Sequence, residues 1–196
     1  MKRFFPYRSV MLFAVIFLCF GNTAMSQWEK LEQPYGEYIK SLSTTGDALF
    51  AAGDYLYSSY DYGRSWRRMQ TLPETPPKIL SAYPGYLFAG TYRNLYRSTT
   101  NGMNWTPLTL PDTLFTPTTI CRIQGTFIAH VETAMGSKIY LSEDDGDTWQ
   151  LPEIPVPTNR ISGLHEIYGA VYACTVVGIF RSFDRGDHWE VSNTAM

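Results

Sequence analysis

The residues best placed to do chemistry are few. Glu143-Asp144-Asp145-Gly146-Asp147 crowds four carboxylates into five positions, the composition of a cation loop. A calcium loop of the EF-hand kind needs oxygen ligands at alternating positions, a Gly at the sixth and a Glu at the twelfth. This segment fails that spacing, and Trp149 stands where further ligands would be needed, so its acids are assigned to a turn. The three histidines, His130, His165 and His188, show no metal-ligand spacing. No Gly-rich phosphate loop precedes a helix. Neither a metal nor any other cofactor is expected.

Two of the three cysteines can stay in a mature chain. Cys19 lies inside the apolar run Val10–Phe20, which follows the basic residues Lys2, Arg3 and Arg8 and leads to Ala24-Met25-Ser26. That order is the tripartite secretory signal, with a cut expected after Ser26. An uncleaved anchor fits less well, because spanning a bilayer takes about 20 apolar residues. A lipoprotein signal wants small residues ahead of its cysteine, and Phe17-Leu18 are bulky. The expectation is therefore a signal peptide over 1–26, a domain over 27–196, and a secreted or periplasmic protein. Export makes a Cys121–Cys174 disulfide permissible without requiring it. The signal takes three of the 16 Lys+Arg and none of the 18 Asp+Glu, leaving 13 against 18 and a net −5. With no basic stretch to track phosphates and no second long apolar run, neither nucleic acid nor, after cleavage, membrane is an expected partner.

The elements that position these residues are repeats. Ser59-Tyr-Asp61-Tyr-Gly63-Arg-Ser-Trp66, Ser98-Thr-Thr-Asn-Gly102-Met-Asn-Trp105, Ser142-Glu-Asp144-Asp-Gly146-Asp-Thr-Trp149 and Ser182-Phe-Asp184-Arg-Gly186-Asp-His-Trp189 share one pattern. Their serines are 39, 44 and 40 residues apart. Upstream of each box lie two short apolar runs, such as Leu87-Phe88-Ala89-Gly90 and Leu95-Tyr96-Arg97-Ser98, broken by turn residues. The mature chain has no apolar helical periodicity, so each unit is predicted to be four β-strands. For the second unit these are Lys78–Ala82, Tyr86–Thr91, Asn94–Ser98 and Trp105–Leu108. A four-stranded unit recurring every 40 or so residues marks a propeller blade, and blades must stack to bury both faces. The fold class is thus all-β, propeller-like, four blades. Small pairs such as Ala51-Ala52 and Ala89-Gly90 suit close approach between sheets. The longer third interval is read as Glu132–Ser137 replacing a tight turn.

The four boxes are similar to the Asp-box, or bacterial neuraminidase, repeat S-x-D-x-G-x-T-W. The chain therefore resembles sialidase-type, sortilin-type and photosystem II assembly-factor-type propellers over about residues 28–191. The resemblance implies that each box is the hairpin between third and fourth strands, with the Asp bonding its own turn, the Gly adopting a special backbone angle and the Trp folding onto the sheet. Thr100 replaces the Asp of the second box, implying a looser turn there.

Sialidases use three arginines, a Tyr–Glu nucleophile pair and an Asp acid/base, with the first arginine in an Arg-Ile-Pro motif. Here Arg122-Ile123-Gln124 and Arg160-Ile161-Ser162 are the nearest matches, and Arg64, Arg97, Arg181 and Arg185 lie in or beside boxes, on the face where that family holds no substrate. No residue is assigned a catalytic role; a sialidase-type glycosidase and a structural fragment of a larger propeller are the alternatives. The favoured reading is a binding module for a protein, peptide or glycan, on the loops that enter the first strand and join the second to the third. These contain or border Tyr35, Tyr38, Tyr55, Tyr92, Arg93 and Arg160, residue types favoured in recognition surfaces. Finally, Trp28-Glu29-Lys30-Leu31 matches the starts of the fourth strands, giving five such strands for four sets of inner ones. The expectation is an open arc with apolar sheet faces exposed at both ends, prone to self-association.

Overall fold

The computed structural model describes residues 38–192 except Thr75, Leu114, 153–155 and 157–159. The signal segment, the Trp28 strand and Tyr35 lie outside the described residues.

Among the described residues, alternating and β-branched runs bounded by turn residues form fifteen strands and no helix. The first sheet holds β1 (Ser41–Thr44), β2 (Leu49–Ala52), β3 (Leu56–Ser59) and β4 (Arg67–Arg68). The second holds β5 (Ile79–Tyr83), β6 (Tyr86–Gly90), β7 (Leu95–Ser98) and β8 (Thr106–Leu108). The third holds β9 (Phe115–Ile123), β10 (Thr126–Thr133) and β11 (Gly136–Ser142). The fourth holds β12 (Ile161–Ile167), β13 (Ala170–Thr175), β14 (Gly178–Ser182) and β15 (Glu190–Val191). Each sheet is an antiparallel meander in chain order. The fourth strand of the third sheet shrinks to one bridge, in which Leu141 and Gln150 exchange hydrogen bonds of 2.8 and 2.9 Å. Pro152 follows two residues on and has no N–H with which to extend the ladder.

Where the third unit is longer, its residues pair instead of looping. Glu132 faces Ser137 and Thr133 faces Gly136, so only Ala134 and Met135 form the turn. The tight turn survives, and the added residues lengthen β9, β10 and β11. This corrects the expectation that Glu132–Ser137 would replace a turn.

The sheets stack side by side, β1 on β5, β5 on β9 and β9 on β12, and do not close into a ring. Three apolar clusters fill the three junctions. Phe50, Leu56, Leu80 and Tyr96 lie in the first, Phe88, Leu95, Phe127 and Tyr140 in the second, and Ile128, Ile139, Leu164 and Phe180 in the third. Phe127 receives the rings of Tyr83, Tyr86 and Phe88 edge-on at 4.6–5.5 Å. Gly90 shows why the second strands carry small residues. A Cβ there would sit 2.7 Å from Ile79 and 2.7 Å from Pro117 of the next sheet. Serines on β1 complete the first junction, Ser41 bonding the Leu80 main chain and Ser43 accepting the Ala82 N–H at 2.8 Å.

Cys121 is buried and Cys174 half-buried, and both are free thiols. Burial pushes the Cys121 thiol up to about 12. The permissible disulfide is not formed.

Candidate functional site

The hairpin topology gives every sheet two ends. One carries the boxes, the other the turns between second and third strands together with the entries to the first strands.

At the box end the chemistry is structural. In all four boxes the first-position serine accepts the glycine N–H, at 2.9 Å for Ser59, 2.9 Å for Ser98, 2.8 Å for Ser142 and 2.8 Å for Ser182. Asp61 accepts the Ser65 N–H at 2.8 Å and hydroxyl at 2.6 Å, and Asp144 accepts both groups of Thr148 at the same distances. The Ser65 hydroxyl and N–H hold the Asp61 carboxyl down at about 2, and Thr148 does the same for Asp144. Burial pushes Asp184 up, but the His188 and Ser182 donors outweigh it and leave it lowered. In the second box Thr100 Oγ1 accepts the Asn104 N–H at 2.9 Å, so one hydroxyl replaces the carboxylate. The fourth position shares the left-handed conformation with the glycine, at φ 60° for Tyr62, 51° for Asn101, 59° for Asp145 and 66° for Arg185. The four tryptophans fold inward: Trp66, Trp149 and Trp189 are buried, and Trp105 packs against the first cluster. Trp149 and Trp189 donate their indole N–H to the box glycine carbonyl at 3.0 and 2.8 Å.

The boxes also clamp neighbouring sheets. A Cβ on Gly146 would lie 3.2 Å from Phe88 of the preceding sheet, and one on Gly186 2.9 Å from both Ile128 and Leu141. Arg97 reaches forward to the Asp145 carbonyl at 2.5 Å and the Asp147 carboxylate at 2.8 Å, and Glu143 meets Arg185 at 3.0 Å. The acidic run 143–147 is therefore tied up in turns and junctions. Among the described residues no group of His, Cys, Asp and Glu could hold a metal ion.

The opposite end carries a cleft of about 340 Å³ between the second and third sheets, lined by Tyr92, Arg93, Phe115, Thr116, Glu132, Thr133 and Ala134. Tyr92 is 61% exposed. Its ring lies 4.5 Å from the Lys78 ammonium and 5.7 Å from the Arg93 guanidinium, both within cation–π range. Thr116 donates to the Tyr92 carbonyl at 3.0 Å and fixes the turn against β9. On the facing wall, the lengthened β10–β11 hairpin presents Glu132. Ser137 Oγ donates to its carboxylate at 2.6 Å while accepting the Ile161 N–H at 3.0 Å. Behind it, buried His130 places Nε2 3.3 Å from Glu132 Oε1, too poorly aligned for a hydrogen bond, and Nδ1 2.6 Å from the Thr118 hydroxyl. Burial holds the His130 imidazole below the usual histidine range, with Glu132 pulling the other way. One wall is thus aromatic and cationic, the other anionic.

Of the recognition residues expected from sequence, Tyr92 and Arg93 line this cleft. Exposed Tyr38 stands before β1, Tyr55 lies under the Arg68 guanidinium at 3.2 Å, and exposed Arg160 precedes β12. All are at the same end as the cleft, but none of the three lines it. Sequence reasoning missed Lys78, Phe115, Thr116 and Glu132. The longer third interval was a pointer to Glu132 alone, whose hairpin builds the anionic wall; Lys78 lies in the second unit, at the entry to β5.

No protein-family model matches the sequence, and no curated protein matches it. Solved structures do. The chain superposes on an ancestral GH74 enzyme with a TM-score of 0.66 at 18% identity, covering 86% of this chain and 26% of that one. The GH74 enzyme of Niastella koreensis gives 0.60 at 17%, covering 78% and 24%. YCF48 bound to D1 peptide gives 0.54 at 19%, covering 84% and 56%. The fold is a β-propeller fold. The chain spans about a quarter of the GH74 enzymes and just over half of YCF48. These neighbours mix an enzyme fold with a peptide-bound one, and at such identities they speak to fold alone.

Proposed function

We propose that the chain is an exported, non-catalytic recognition module of the Asp-box repeat type, and that the cleft between the Tyr92 turn and the β10–β11 hairpin holds a segment of a partner protein or peptide. The observation that carries this reading is the composition of the cleft. An exposed tyrosine flanked by two cations faces a carboxylate held by Ser137, which suits the alternating apolar, acidic and basic groups of a peptide. Neither Lys78 nor Arg93 has a carboxylate partner among the described ion pairs. Of the seven described lining residues, Glu132 is the one carboxylate, whereas glycosidic cleavage ordinarily uses a pair. YCF48, a fold neighbour, is recorded with D1 peptide bound. The four box motifs support the repeat assignment, and the tripartite N-terminal segment supports export.

The test is a comparative binding screen of the purified chain against a peptide array, a glycan array and a fluorogenic sialoside. Peptide binding weakened about tenfold or more by Tyr92→Ala, with the fold intact, is the expected result; an aromatic anchor at an interface typically carries 2 kcal/mol or more. Turnover of the sialoside would replace this reading with an enzymatic one, and binding to glycans alone would change the ligand class.

A further inference from the structure

Each internal sheet has a trailing face covered by the next sheet and a leading face that covers the one before. Cross-strand pairing identifies equivalent positions. Leu56, Leu95 and Ile139 face Ala52, Gly90 and His130 on the second strands, and all three are buried by the following sheet. Ile179 faces Cys174 in the same register and is 44% exposed. Phe50, Phe88 and Ile128 are likewise buried, while their equivalent Tyr172 is only half-buried. On the leading side, Leu80, Ile120 and Leu164 face Ala89, Ala129 and Ala173 and are buried. Their counterpart in the first sheet, Leu42, faces Ala51 and is 63% exposed. Among the described residues, the fourth sheet thus has an exposed trailing face, and the first sheet an exposed leucine of the kind that fills such a face at three internal junctions.

We infer that the trailing face of the fourth sheet binds the leading face of the first sheet of a second copy of this chain, head to tail. The contact repeats an interface the chain already makes at three junctions. One pair of box positions agrees with it. At the third junction the second position of one box, Glu143, meets the fourth position of the next, Arg185, at 3.0 Å. The same step from the fourth sheet to a second copy brings Phe183 to Tyr62, and these are 58% and 88% exposed here. An acid–base pair inside the chain becomes an aromatic pair between chains, whose rings bury large apolar area and gain from edge or offset contact. Arg181 occupies the place from which Arg97 reaches the next box, and a second copy offers Arg64 there. These like charges oppose the contact at that point, and Glu190, which pairs Arg181 at 2.8 Å, offsets part of the repulsion. A head-to-tail contact is heterologous, so it either closes a ring of copies or extends as a filament.

Light scattering on size-exclusion fractions, over a concentration series of the purified chain, reads the association directly. Ile179→Glu spoils the tail and Leu42→Glu spoils the head. Both positions are exposed, so circular dichroism of each variant should match the parent. Each variant alone should run at the mass of one chain, because every contact needs one intact head and one intact tail. An equimolar mixture should recover a species of twice that mass and nothing larger, since only one compatible pair of surfaces is left. A parent chain that stays monomeric at its highest soluble concentration overturns the proposal. So does a Leu42→Glu chain that still dimerises while Ile179→Glu does not, because that pattern means two tails meet.

Discussion

Replacing Gly186 by alanine tests whether the boxes hold neighbouring sheets together as well as turning their own hairpins. Gly186 has φ of 98°, a conformation that side chains with a Cβ resist. That alone costs about 1–2 kcal/mol. The new methyl would also arrive 2.9 Å from Ile128 Cδ1 and 2.9 Å from Leu141 Cδ2, both on the third sheet. Those side chains must shift in a filled cluster, adding roughly 1–3 kcal/mol. The total expected loss is about 2–5 kcal/mol. Gly169 provides the control. Its φ is 77°, in the turn between β12 and β13, and nothing lies within 4 Å of an added Cβ. Gly169→Ala should therefore lose only the backbone part. Urea unfolding of both variants, compared at unchanged m-value, gives the difference between them, expected at about 1–3 kcal/mol. Equal destabilisation would show that the box glycine serves its turn only and would refute the clamping argument.

Trp149→Ala should destabilise by about 3–5 kcal/mol, as emptying a buried aromatic site does, and Asp144→Ala by roughly 1–2 kcal/mol, measured by the same unfolding curves. Peptide binding of folded Asp144→Ala protein should be unchanged, since the box and the cleft are at opposite ends of the sheets. Asp61 and Asp144 are held near 2, below an ordinary carboxylate at 3.8. Their stabilising effect is complete above the ordinary value and is lost as pH falls from about 4 towards 2, so an acid titration of unfolding free energy should decline in that window. Stability unaffected by pH there would contradict the turn assignments. Export predicts a mature protein outside the cytoplasm beginning at Gln27, read by N-terminal sequencing after fractionation.

The boxes were legible because their chemistry is local. Ser59, Asp61, Gly63 and Ser65 bond one another within seven residues, so residue type and spacing suffice to define the turn. The strand runs were legible for a similar reason: alternation and turn residues place β5 to β8 within a residue of expectation. Two features escaped. Counting residues gives the length of the third unit but not whether the extra ones pair, and Glu132 opposite Ser137 is decided by ladder register. The cleft depends on that register and on how Lys78, at the entry to β5, comes to lie over Tyr92 from a turn fourteen positions later. Tyr92 and Arg93 were visible as candidates, whereas their partners across the sheet junction were not. Tyr38, Tyr55 and Arg160 share their end of the sheets but do not line the cleft.

The most direct test of the account is to map a bound peptide by amide chemical-shift perturbation on isotope-labelled protein, using the strongest binder from the array. Perturbations should concentrate at Tyr92, Arg93, Thr116 and Glu132–Ala134, with the box residues Asp61, Asp144 and Asp184 unmoved. Perturbations centred on the boxes, with the Tyr92 cleft silent, would contradict it.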